Sequence, residues 1–197
     1  MEQLDELISK LMKYKWASDY HTYLENRRKG LKEQAKQALR KFITTLSDIK
    51  AEDKRDFIDT VFTIAFITDD YSLYLPNNLY SEHFIPIIKK WINAEPDNHI
   101  PYRWSNNFEN IRKAVTLNQN DQISLTIFLN RLINKVSMNQ HEIAEGFSYD
   151  GDVSDDIKLI SFSESFIDNV ADVDKRNEIK KCLSDLKKTA IAYKASH

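Results

Sequence analysis

Apolar residues recur along this chain at steps of three and four, almost from end to end. Leu31, Ala35, Ala38, Leu39, Phe42, Leu46 and Ile49 show it most plainly, a set that an α-helix places on a single face. The spacing predicts a helix over residues 19–49 with that face buried. A first helix over residues 2–14 precedes it, striped by Leu4, Ile8, Leu11 and Met12. Residues 51–68 open on the acidic turn AEDKRD, which suits the positive end of a helix dipole. They continue through FIDTVFTIAFIT with few polar interruptions, so this segment is expected to be the central helix of a bundle, with Phe62 and Phe66 anchoring the core one turn apart.

The helical period lapses at YSLYLPNN, where a proline and two asparagines predict a surface connection. It resumes near residue 78 and carries through LYSEHFIPIIKKWINA. Pro86 either starts the regular part of that helix or kinks it, since proline has no N–H for an interior bond. Pro96 stops it, and EPDNHIP reads as a loop. Further helices are predicted over residues 108–117, 121–138, 154–170 and 173–193. Alternating strand patterns with turn glycines are missing, so the expected fold is all-α. The expectation is one domain over residues 1–197 with seven to eight helices, an irregular N-terminal bundle at 1–95 leading into a second half at 96–197.

Composition agrees with long helices, because three glycines and four prolines in 197 residues leave little material for tight turns. A lone cysteine, Cys182, cannot form an internal disulfide, and MEQLDELISK has acids where a signal peptide needs a basic start. No apolar run nears the roughly 18 residues that span a bilayer. A cytoplasmic protein with no membrane segment is the expectation. The net charge of −2 argues against a surface given over to nucleic acid, although its distribution is uneven. Residues 1–50 hold eleven Lys/Arg against seven Asp/Glu, and residues 51–100 hold four against nine.

The stretch NFENIRKAVTLNQNDQISLTIFLNRL resembles the second helix of a tetratricopeptide repeat running into the first helix of the next. Ile111, Ala114 and Leu117 carry the resemblance, followed by the polar turn 118–121. In that family a small residue lets helices pack closely and a short turn, usually with proline, reverses the chain. Here Gln119 stands where the proline would be, and no second copy follows at a spacing of 34 residues. The resemblance therefore implies a repeat-like helical hairpin in a tetratricopeptide-like C-terminal half.

Catalytic signatures are sparse. His141-Glu142 begins like a metalloprotease helix, but Glu145 replaces the second histidine, so no facing imidazole pair exists for zinc. Asp150, Asp152, Asp155 and Asp156 could gather around a divalent cation, yet the spacing of a calcium loop is missing, and capping of a helix N-terminus explains the same residues. Cys182 shares an apolar slot with Ile179, Leu183 and Leu186 and reads as a core thiol. Three glycines cannot build the common nucleotide cradles, and no cofactor is expected.

Two surface features remain. Lys29, Lys32, Lys36 and Arg40 share a stripe by their spacing and could meet phosphates or an acidic protein, or could simply be a solvated face. Arg103 and Trp104 follow a proline in a connector, and exposed residues of these types anchor interfaces, whereas a tryptophan before a helix more often plugs a bundle end. The expected function is a non-catalytic protein-protein interaction module, with a contact surface near Arg103, Trp104, Arg112 and Arg131. The alternatives are an immunity- or antitoxin-type inhibitor covering a toxin's active site, or an enzyme whose site is dispersed along the sequence.

Overall fold

The structure is a computed structural model that describes residues 2–141, 143 and 148–197, with side chains from residue 6 onward. Leu4, Glu142 and Glu145 of the sequence motifs lie outside the described side chains. Among the described residues the chain is all-helical with no strand, and it has eleven α-helices where seven to eight are expected. The chain divides into two compact units, residues 1–104 and 105–197.

In the first unit α1 spans Glu2–Lys13, and the predicted 19–49 helix is two helices, α2 (Ser18–Arg28) and α3 (Lys32–Asp48). Gly30 makes the break. Its φ of +74° lies in the left-handed region, and the Leu31 N–H reaches back to the Asn26 carbonyl while the Gly30 N–H reaches the Arg27 carbonyl. This doubly bonded ending satisfies carbonyls that the helix leaves open, and the chain turns instead of continuing. Ala35, Ala38, Leu39, Phe42 and Leu46 of α3 are buried as the period requires, whereas Leu31 is left 40% exposed at the turn. On α1, Leu11 is buried and Met12 is 54% exposed, so the expected stripe is narrower than four residues.

Helix α4 (Ala51–Thr68) ends at Asp69, which itself adopts a left-handed conformation with φ 52°. Phe57, Ile58, Val61, Phe62 and Ile64 are fully or almost fully buried; Phe66, expected beside Phe62, is only half-buried. The stretch read as a surface connection forms the one-turn helix α5 (Tyr71–Tyr74), capped by the Asp70 carboxylate on the Leu73 N–H, and it buries Tyr74 and Leu75. A π-helical turn, Leu79–Phe84, then leads into α6 (Ile85–Ala94), with Pro86 in its first turn. Ahead of Pro86 the Ile85 N–H bonds five residues back to Tyr80, so the missing proline donor is absorbed in a wider turn and no kink interrupts α6. The predicted loop after Pro96 holds a further short helix, α7 (His99–Arg103), capped by Asn98. Tyr102 and Trp104 pack inward there, which is why residues 96–104 belong with the first unit and not with the second half of the chain.

The second unit contains α8 (Phe108–Leu117), α9 (Gln122–Gln140), α10 (Val153–Glu164) and α11 (Val173–Ser196). Side chains of Asn107, Asp121, Asp152 and Asp172 cap the four N-termini. The expected 154–170 helix stops at Glu164 and gives way to a 3-10 turn, Ile167–Asn169. Phe128 centres the core, with its ring against those of Phe108, Phe162 and Phe166. Around it Ile111, Leu132, Ile160 and Leu183 fill the space between all four helices.

Phe57→Ala is expected to cost about 3–5 kcal/mol in denaturant unfolding of the first unit, and half-buried Phe66→Ala clearly less, about 1–2 kcal/mol. Equal losses would show that burial along α4 is misassigned. Gln119 occupies the second position of a turn closed by the Asp121 N–H on the Asn118 carbonyl, and Asn118 is extended (φ −146°, ψ 95°), as a residue before proline prefers. Gln119→Pro should therefore leave the melting temperature unchanged or raise it, by the equivalent of about 0.4–1 kcal/mol.

Candidate functional site

A surface site lies on the first unit, where α2, α3 and the segment 71–80 border an open groove of about 670 Å³. Its apolar lining comes from Ala35 and Leu39 on α3, Tyr23 on α2, and Leu75 beyond α5. Arg27, Lys32 and Lys36 stand along its rim, all exposed, with Asn77 and Asn78 on the opposite side. Tyr71 and Tyr80 complete the aromatic part of the lining, and Tyr71 is 42% exposed.

Buried hydrogen bonds fix the two walls to each other. The Tyr20 hydroxyl donates to the Tyr74 carbonyl (2.6 Å) and the Tyr23 hydroxyl to the Leu73 carbonyl (2.8 Å), while the Arg28 guanidinium donates to the Tyr74 hydroxyl (3.0 Å). Buried backbone carbonyls need such partners, so a segment without long helical structure is held rigidly beside α2. Burial pushes the Tyr23 phenol up, and the Arg27 guanidinium beside it offsets part of that rise. Tyr20, wholly buried, is raised well above its ordinary value for the same reason, so both hydroxyls stay protonated donors.

Of the predicted basic stripe, Lys32, Lys36 and Arg40 are exposed on α3 at steps of four. Lys29 lies before the Gly30 turn and is within 3.8 Å of Glu25. The turn removes the continuous helical spacing on which a four-residue stripe depends. Arg103 and Trp104 are brought together, but facing inward at 8% and 4% exposure. One oxygen of Asp59 accepts from the Arg103 guanidinium (2.7 Å) and from the Trp104 indole N–H (2.6 Å), and the guanidinium lies 4.8 Å from the centre of the indole ring. The Trp104 ring also packs on Phe62, with centroids 5.2 Å apart. The surface expected at this pair is closed, because both side chains are buried and bonded to Asp59 inside the first unit.

On the second unit, Arg112 pairs with Glu109 at 3.2 Å and lies over the Phe162 ring, while Arg131 is half-buried on α9. The acids of residues 150–156 diverge. Asp152 caps α10, Asp155 pairs with Lys158 at 2.9 Å, and Asp156 is buried at 1% exposure. There Asp156 accepts from Asn139 (2.7 Å), Tyr149 (2.7 Å) and Lys135 (3.3 Å), which ties α9 and the start of α10 together. Among the described residues no three metal-ligating side chains converge. His141 is exposed, and Cys182 is half-buried with its thiol pushed up by burial and by Asp185 and Glu178.

No known protein family, curated protein or solved structure matches the chain. The groove was missed in the sequence because YSLYLPNN was read only for its proline and asparagines. The signal lay in its two tyrosines and two leucines, too many large apolar groups for a solvated connection.

Trp104→Ala should lower the stability of the first unit by about 3–5 kcal/mol through the cavity it leaves, read by denaturant unfolding. Elsewhere in this unit Glu95 accepts from Trp91 (2.9 Å), Asn98 (2.8 Å) and Arg55. The Asn98 and Trp91 bonds, with the nearby Arg55 charge, hold its carboxyl below the usual carboxylate range. A depressed carboxyl stabilises the fold above its unfolded value, near pH 4, and that contribution fades as pH falls through the folded value. Glu95→Gln should be less stable than the parent at pH 7, and the gap between the two melting curves should close as pH falls below the usual carboxylate range. A gap that persists in acid would show that the charge at Glu95 is not what matters.

Proposed function

We propose that the chain is a protein-protein interaction module acting through the groove on its first unit, with no chemistry of its own. The observation that supports this reading most is the make-up of the groove: an apolar lining from four elements, set rigidly by buried hydrogen bonds and rimmed by exposed cations. Interfaces have this anatomy, an apolar centre inside a polar rim, and their strongest contacts are aromatic and arginine side chains such as the exposed Tyr71 and Arg27 here. The second unit is tetratricopeptide-like in this reading. Its α8–α9 hairpin buries Ile111 and Ala114 at the helix contact, although α9 is nearly twice as long as α8. A cytoplasmic setting accords with the unpaired Cys182 and with the absence, among the described residues, of any helix long and apolar enough to cross a membrane.

A photo-crosslinking residue at Asn77, exposed in the groove lining, provides the test in lysate of the native host. A discrete crosslinked protein is expected, competed away by excess unlabelled chain. Labelling that is diffuse, or that unlabelled chain does not compete, would remove the groove as an interaction site.

A further inference from the structure

The arrangement of charge along α3 points to the kind of partner. Lys32 and Lys36 are four residues apart, as are Ala35 and Leu39, so a cationic row and an apolar row run side by side along the same helix. Each row spans about 6 Å, one helical turn. Arg27 on α2 adds a third cation at the rim; the apolar row of α3 is buried with Tyr23 and Leu75 in the floor, and the accessible apolar surface comes from Tyr71, Pro76 and Tyr80. These three cations are among the Lys and Arg side chains that form no ion pair among the described residues. Lys10, Lys135, Lys158, Lys180 and Lys187 each close on an aspartate or glutamate. Among the described residues no carboxylate lies within ion-pair distance of Lys32 or Lys36.

We propose that the groove takes an acidic amphipathic helix of a partner protein, seating apolar side chains on Tyr71, Pro76 and Tyr80 and carboxylates against Arg27, Lys32 and Lys36. The inference rests on the reading of the groove as an interaction site and adds the chemistry of its occupant. A helix presents apolar and acidic residues in adjacent rows at steps of three and four, and the acidic row matches the spacing of Lys32 and Lys36. Steering by the cations favours approach of a negative partner, and the apolar lining holds what has been steered. A nucleic acid suits the site less well. The first unit carries as many acidic as basic residues, and the centre of the groove offers apolar surface where phosphate tracking needs a continuous basic path.

The test uses the full chain against a phage-displayed library of random 16-residue peptides, selected in parallel on the parent and on Lys32→Glu/Lys36→Glu. Both positions are exposed, and matching circular dichroism checks that the variant folds. The parent should enrich peptides with a negative net charge and apolar residues at steps of three and four. The labelled consensus peptide should bind the variant at least about tenfold more weakly and lose affinity as salt is raised. Neutral or basic enriched sequences, no enrichment, or equal binding to parent and variant would overturn the proposal. So would tight, salt-sensitive binding of a mixed-sequence single-stranded RNA to the parent when no peptide is enriched. A competed crosslink from Asn77 alongside non-acidic peptides would leave the interaction module standing and remove only the acidic helix.

Discussion

The Phe57 ring is the contact on which the first unit depends. It touches the rings of Tyr14, Trp16, Tyr20, Phe42 and Phe84, which come from α1 or its flanking turn, α2, α3 and the π-helical turn before α6. A single side chain of α4 thereby fixes four other pieces of chain at one point, with edge-to-face and tilted geometries that aromatic pairs favour. Helices with so few glycines and so little loop between them have limited freedom once that point is set. The positions of α2 and α3 follow from it, and with them one wall of the groove.

The groove exists because polar bonds continue what the aromatic cluster begins. Tyr20 has its ring against Phe57 and its hydroxyl on the Tyr74 carbonyl, so one residue belongs to the core and also ties down the segment 71–75. Tyr23, one turn further on, does the same for Leu73. A segment too short and too rich in turn residues to pack as a long helix is thus fastened against α2, and the space it leaves in front of α3 stays open.

Charges in the chain divide by use. Asp59 and Asp156 are drawn inside, where each satisfies several donors: Arg103 and Trp104 for one, Tyr149, Asn139 and Lys135 for the other. Removing a group of this kind leaves buried donors without an acceptor, so these carboxylates specify how helices meet. Asp56 is nearer the surface. Burial alone would raise its carboxyl, but hydrogen bonds from Lys10 and Tyr14 outweigh that and lower it. Lys32 and Lys36 of the groove are exposed and form no ion pair among the described residues, and the groove's proposed role rests on them.

The sequence by itself determined the helical class, the buried face of α3 and the polar cap of α10, because these follow from spacing along one helix and from side chains bonding to backbone two or three residues away. The hairpin turn at residues 118–121 was legible for the same reason. Tertiary structure decided what local period cannot reach. Trp104 and Arg103 have the composition of an exposed anchor, and only the approach of Asp59 and Phe62, more than 40 positions earlier, turns them inward. YSLYLPNN has the composition of a connection, and only bonds from Tyr20 and Tyr23, about 50 positions away, make it a wall. Whether a residue is core or surface depends on which distant groups arrive beside it, and that is settled by packing in three dimensions.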